Sequence, residues 1–272
     1  RATSRDMNID NLTVAASKKG IDVLGTGDFT HPGWLAEVKS KTEDDSSGLY
    51  TAKNGKVKFI LTGEISAIYS DKGRLRKIHL LVFAPTIATA EAINKKLGRI
   101  GKIWSDGRPI FGMSAKNLTQ IILETDEQCL IVPAHAWTPW FSIFGANSGY
   151  DSLQDCFEDL TPNIYAIETG LSSDPAMNWR LSALDDIILI SNSDAHSPAK
   201  LAREVNVFDL DEISYEAIAD IIKGKDKKNF LYTIEFFPHE GKYHFDGHRN
   251  CGIVWSPAET NKNKGICSKC KR

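Results

Sequence analysis

One pattern limits what this chain can fold into more than any other: a short apolar run that ends in an acid or an imidazole, repeated along the sequence. Its clearest copy is Ile187-Ile188-Leu189-Ile190, which leads through Ser191-Asn192-Ser193 to Asp194 and His196. An apolar run of this length bounded by small polar residues reads as a buried strand of a parallel sheet. In extended backbone Asp194 and His196, two apart, project to one face. A carboxylate and an imidazole leaving a buried strand together suit a metal centre or an acid/base pair. A helix-capping Asp beside an ordinary surface His is the competing reading, and the recurrence of the pattern weighs against it.

The pattern recurs at Ile21-Asp22-Val23-Leu24, which exits through Gly25-Thr26-Gly27 to Asp28 and His31. It recurs where Cys129–Pro133 precedes His135, and where Ile164–Thr169 carries Glu168. Val57–Tyr69 and Arg74–Pro85 read as a strand pair joined through Ser70-Asp71-Lys72-Gly73, which is good turn chemistry. Glu64 and His79 interrupt these two apolar strands, and both are costly to bury alone. A metal satisfies both; a Glu–His or Glu–Arg ion pair is the alternative. Helices are expected over Asp6–Gly20 with Asp6 as cap, Gly33–Lys41, Ala88–Ile100, Ser114–Glu127 with Ser114 as cap, near Asp151–Leu160, and over Ser214–Lys223. Thr42–Gly55 is polar and is expected to be a loop. The alternation of strand and helix predicts parallel strands, which carry their functional groups at the carboxyl edge.

Asp28, His31, Glu64, His79, His135, Glu168, Asp194 and His196 together exceed what a single zinc takes. Such a mixed set suits two or three divalent ions, which polarise a phosphoryl group and lower the pKa of a bound water. The reaction class this implies is phosphodiester or phosphomonoester hydrolysis, with Asp194, His196, His135 and Glu64 as the catalytic candidates. Trp137, Trp140, Phe141, Phe144 and Tyr150 crowd an irregular segment after His135. They can stack on bases, or fill a small satellite core. Arg203 is a candidate phosphate contact or a surface charge, and Lys223–Lys228 is a solvated basic turn or a DNA backbone contact.

The net charge of -2 confines any nucleic-acid contact to a local basic surface. No apolar run approaches the roughly 20 residues of a membrane helix, and no leader sequence is visible. Three of the five cysteines fall within the last 22 residues, which predicts metal binding in a reducing compartment, the cytoplasm. There His248-x2-Cys251 and Cys267-x2-Cys270, fifteen residues apart, have the spacing of a closed, structural zinc site. His244 competes as a ligand. Lys242, Arg249, Lys262, Lys264, Lys269, Lys271 and Arg272 make this stretch basic, as a nucleic-acid contact requires. The expected division is an α/β domain over residues 1–237 and a zinc-finger module over residues 238–272.

GTGDFTHP, LTGEIS, KIHLLVFAP, PAHAWTPWF, IETGLSSDP and SNSDAHSP, in this order, resemble the PHP (polymerase and histidinol phosphatase) superfamily, and most closely its endonuclease Q family. The tail HFDGHRNCG…CSKC resembles that family's zinc module. The resemblance covers nearly the whole chain. It implies a distorted (βα)7 barrel with a multinuclear, zinc-type site, or Mg or Mn for activity. It further implies cleavage of DNA 5′ to uracil, hypoxanthine, xanthine or an abasic site. By position it puts metal-ligand roles on Asp28, His31, Glu64, His79, His135, Glu168, Asp194 and His196, with Asp28 and His31 competing for one direct contact. Turning out a damaged base needs a pocket wall, for which Trp137, Trp140 and Phe141 are the candidates. DNA is the implied partner, with a processivity clamp as a further one. The family also carries a His-x-His strand that would precede Arg1, and continues beyond the zinc module. The chain is therefore expected to be a truncated form, lacking two ligands and one strand. A small-molecule phosphoesterase and an inactive DNA-binding module are the alternatives this leaves.

Overall fold

The structure, a computed structural model, describes residues 3–272. Helix α1 (Ile9–Lys18) buries Ile9, Leu12 and Ala16. Its cap is Asn8, whose side chain accepts the Asn11 N–H, and not the expected Asp6. Strand β1 (Val23–Gly25) leads to α2 (Pro32–Lys41), where Trp34, Leu35 and Val38 are buried. Residues 42–55, expected to be a loop, contain a small hairpin of β2 (Thr42–Asp44) and β3 (Tyr50–Ala52). Three-residue strands are too short for alternation to show in the sequence. Tyr50 anchors them: it is buried, and its hydroxyl accepts the Ile87 N–H.

A long antiparallel hairpin follows. β4 (Lys58–Asp71) and β5 (Arg74–Ala84) pair in register from Leu61 opposite Ala84 to Asp71 opposite Arg74. Lys72 and Gly73 both take positive φ, 48° and 74°, the tight turn whose twist matches that of the strands. The remaining elements are α3 (Ile87–Leu97), β6 (Ile110–Phe111), α4 (Ala115–Leu123), β7 (Leu130–Pro133), α5 (Leu153–Phe157), β8 (Ala166–Glu168), α6 (Pro175–Asn178), β9 (Ile188–Ile190), β10 (Val205–Phe208), α7 (Tyr215–Lys223), β11 (Phe230–Ile234), β12 (Asp246–His248), β13 (Ile253–Trp255) and α8 (Pro257–Lys262). Ser114 caps α4 as its position predicts.

The architecture is mixed α/β. The largest sheet runs β2-β3-β4-β5-β7, with β1 and β6 also paired to β4. The parallel order expected from strand–helix alternation holds for β1 with β4, β4 with β6, and β8 with β9. β4, β5 and β7 are antiparallel, because the tight turn expected at Ser70-Asp71-Lys72-Gly73, and not a crossover helix, joins β4 to β5. Glu64 and His79 therefore lie within long strands and not at strand ends. Phe29, Phe59, Phe111 and Phe157 are fully buried, and the strands pack their apolar faces around them. Among the described residues no helix is long and apolar enough to cross a membrane.

Candidate metal centre

The hairpin register builds the first half of the site. Glu64 and Ser66 alternate on β4 and so share a face, and Ser66 stands opposite His79 on β5. Glu64 and His79 are thus diagonal neighbours on that face. The Glu64 Oε1 atom lies 2.8 Å from His79 Nδ1. β7 brings the third member. It pairs with β5, the Ala134 N–H donates to the His79 carbonyl, and His135 follows with its Nε2 3.1 Å from His79 Nδ1 and 3.4 Å from Glu64 Oε1.

The hydrogen bonds set the protons. Thr138 donates its hydroxyl to the Trp140 carbonyl at 2.7 Å. Its oxygen is then free to accept from His135 Nδ1–H, 3.2 Å away. That leaves the lone pair of His135 on Nε2, facing Glu64 and His79. Three donor atoms converge with separations of 2.8, 3.1 and 3.4 Å. Atoms bonded to one cation at about 2.1 Å stand roughly 3.0 Å apart in an octahedron and roughly 3.4 Å apart in a tetrahedron. A carboxylate and two imidazoles spaced in this way fit a divalent metal.

Glu168, at the end of β8, backs this set. Its Oε2 accepts the His135 N–H at 2.7 Å and its Oε1 accepts from Asn192 Nδ2 at 2.9 Å. Burial pushes the Glu168 carboxyl up to about 7. Burial pushes the same way on Glu64, but the adjoining His135 and His79 rings, and the charge of Arg108, hold its carboxyl well below the usual range. Burial also holds His79 below an ordinary imidazole, against the pull of Glu64. Arg108 reaches Glu64 Oε2 at 3.1 Å. The sequence reading missed this arginine. It is placed because Pro109 accepts the Ser66 N–H and Ile110 pairs with Ser66, which sets Arg108 beside Glu64.

Asp28, Glu64, His135, Glu168, Asp194 and His196 all line one cleft of about 840 Å³. Asp28, His135 and Asp194 take φ of 51°, 32° and 42°, backbone strain of the kind that gathers at functional sites. Asp28 packs against Gly107, where an added Cβ would lie 2.1 Å from its Oδ2. Asp194 and His196 do not share a face of extended strand as expected, since the chain leaves β9 irregularly. Instead His196 Nδ1–H donates to the Asp194 carbonyl at 2.9 Å, which leaves Nε2 available as a ligand.

Three expected residues are placed elsewhere. His31 caps α2, its Nδ1 accepting the Trp34 N–H at 3.4 Å, and does not line the cleft. Trp137 is held inward, donating to Asn178 and packed on Phe144. Arg203 donates to the carbonyls of Ser193 and Asp194, and so braces a loop. Phe141 lies against His79, and Lys77 projects over the rings of both Trp140 and Phe141.

In the tail, His248, Cys251, Cys267 and Cys270 bring one donor atom each within 4.8 Å of one another, a set that could hold a second metal. β12 and the turn before β13 present His248 and Cys251, and the chain after α8 returns the Cys267–Cys270 pair. The Cys270 N–H, followed by His248, lowers the Cys267 thiol to about 6. His244 is not in this set; its ring packs on His239 and Phe245.

No family model matches the chain. It is 30% identical to the uncharacterized protein YqxK of Bacillus subtilis over 276 residues, covering 98% of this chain and 67% of YqxK. It is similar over its whole length to the crystal structure of the lesion-specific endonuclease PfuEndoQ from Pyrococcus furiosus, at 32% identity and a TM-score of 0.85. Endonuclease Q in complex with a 27-mer duplex bearing an abasic lesion at the active site aligns at 32% identity and a TM-score of 0.86. The chain spans 64% and 65% of those two proteins, under two thirds of each.

Proposed function

The chain belongs to the family of Bacillus subtilis YqxK, and on that premise we propose that it is a metal-dependent DNA endonuclease of repair. It would cut the phosphodiester 5′ to a deaminated base or an abasic site, on a PHP-type barrel over residues 1–237. The observation that carries this reading is the convergence of Glu64, His79 and His135 on one point, within a fold that matches endonuclease Q along the whole chain.

In this reading Asp28, Glu64, His79, His135, Glu168, Asp194 and His196 hold the metal ions. Bound divalent cations would neutralise charge on the phosphoryl oxygens and acidify a bound water. The protein's own groups do the rest. Thr138 fixes the His135 tautomer. Arg108, beside Glu64, offers a guanidinium to a phosphate oxygen at the cleft mouth. Trp140 and Phe141, with Lys77 over them, form a cationic aromatic wall against which an unstacked nucleotide can rest. The tail of residues 238–272 takes a structural zinc on His248, Cys251, Cys267 and Cys270, and its lysines and arginines meet the DNA backbone.

The test is a nicking assay with Mn²⁺ on end-labelled duplexes carrying one uracil, hypoxanthine or abasic site, against an undamaged duplex and an EDTA control. Cleavage at the lesion alone, lost with EDTA, is the expected result. Hydrolysis of a small phosphate ester with every duplex left intact overturns the nuclease reading.

A further inference from the structure

We infer that Asn206 is a positioning residue that orients Glu168 through Asn192. The inference rests on the metal-centre reading above and adds to it a residue outside the ligand set. β9 pairs with β8, and β10 pairs with β11. Between β9 and β10, a side chain takes the place of a strand ladder. Asn206 Oδ1 accepts the Ser191 N–H at 2.8 Å, and Asn206 Nδ2 donates to the Ser191 carbonyl at 2.9 Å. The same nitrogen donates its other hydrogen to Asn192 Oδ1 at 3.2 Å.

The orientation of every amide in this chain follows from the peptide at its root. A backbone N–H only donates, so the oxygen of Asn206 faces it; a backbone carbonyl only accepts, so the nitrogen of Asn206 faces that. With Nδ2 as donor, Asn192 receives it on oxygen. Asn192 then has only its own NH2 left for Glu168 Oε1, which it meets at 2.9 Å. Glu168 Oε2 is taken by the His135 N–H. A buried carboxylate, 4% exposed, is thus clamped at both oxygens, and its remaining lone pairs are aimed. Groups of this kind behind a metal ligand fix its angle and its charge state.

Asn206→Asp keeps the shape and removes the donor. An oxygen then faces the Ser191 carbonyl and Asn192 Oδ1, and Asn192 turns its own oxygen toward Glu168. Asn192→Ala removes both bonds that Asn192 makes, to Asn206 and to Glu168, and leaves Asn206 joined to Ser191, so it separates orientation of Glu168 from joining of the strands.

The experiment titrates each folded protein with Mn²⁺ alone by calorimetry, and measures kcat and KM on a duplex with one abasic site. Both variants are expected to bind Mn²⁺ about 10- to 100-fold more weakly and to lose kcat to a similar extent, with KM for the duplex unchanged. Should Asn206→Asp fail to fold, Asn192→Ala carries the same expectation. If the folded variants bind Mn²⁺ and turn over like the parent while Glu168→Ala does neither, the relay is overturned and the metal centre stands. If Glu168→Ala itself binds Mn²⁺ like the parent, Glu168 is no ligand, and both the relay and its place in the centre are lost.

Discussion

Glu64 and His79 meet across the diagonal of one hairpin, with 2.8 Å between carboxylate oxygen and ring nitrogen. The pair is fixed by strand register, since Ser66 stands opposite His79 and Glu64 lies two residues before it on the same face. A two-residue turn sets that register.

Removing one partner empties the centre. Glu64→Ala leaves His79 and His135 without their carboxylate and Arg108 without its counter-ion. A metal supplies several kcal/mol of transition-state stabilisation, so lesion cleavage is expected to fall by more than about 100-fold. Mn²⁺ titration and single-turnover nicking measure this; parent-like values in both would sink the assignment of Glu64.

Glu204 gives a pH-dependent stability. It is 2% exposed, and burial, with Glu235 nearby, pushes its carboxyl up to about 7 while the Ser191 hydroxyl pulls it down. A folded-state pKa raised above the unfolded value means that stability is fully present below the unfolded pKa and is lost as pH rises toward 7. Glu204→Gln, which stays neutral, is therefore expected to gain roughly 1–3 kcal/mol over the parent at pH 8 and nothing at pH 4. Urea denaturation in EDTA at the two pH values reads the difference; an equal gain at both contradicts it.

Gly170 guards the position of His135. Its φ is +62°, and an added Cβ would lie 2.8 Å from the His135 Cβ. Gly170→Ala is expected to cost about 1–3 kcal/mol of stability through backbone strain, and to weaken Mn²⁺ binding as His135 is displaced. Thermal melting and metal titration of the same preparation check both effects, and an unshifted melt with parent affinity argues against the close approach.

The tail is expected to hold about one zinc per chain, apart from the Glu64–His79–His135 centre. Cys267→Ser removes one of the four candidate ligands, the thiol that the Cys270 N–H and His248 lower to about 6. Elemental analysis after dialysis should show that zinc gone and Mn²⁺ binding at Glu64 intact. Retention of full zinc by the variant would place the ion elsewhere.

The strands that carry the site were legible because their composition leaves little choice. Wholly apolar runs such as Leu130–Pro133 and Ile188–Ile190 are buried strands whatever surrounds them, and Glu64 and His79 stand out against apolar neighbours. Residues placed by loops were not legible. Arg108 reaches Glu64 only because β6 pairs with β4, and Asn192 and Asn206 meet through a side-chain bridge that has no period. A capping imidazole and a ligating one look alike in sequence, and the cap that His31 makes to the Trp34 N–H is visible only in the structure. The same holds for Asp194, whose positive φ turns the backbone out of the extended path that its spacing from His196 presupposed.

The hairpin also bears on the order in which the centre comes together. Glu64 and His79 share one local turn, whereas His135 lies 71 residues beyond Glu64 and Glu168 a further 33. Local contacts form early and distant ones late. A partly folded chain thus owns two donors and has no grip on a cation until β7 and β8 have docked. Tight metal retention is then a mark of completed folding, and a chain still emerging from synthesis cannot yet keep an ion at this point.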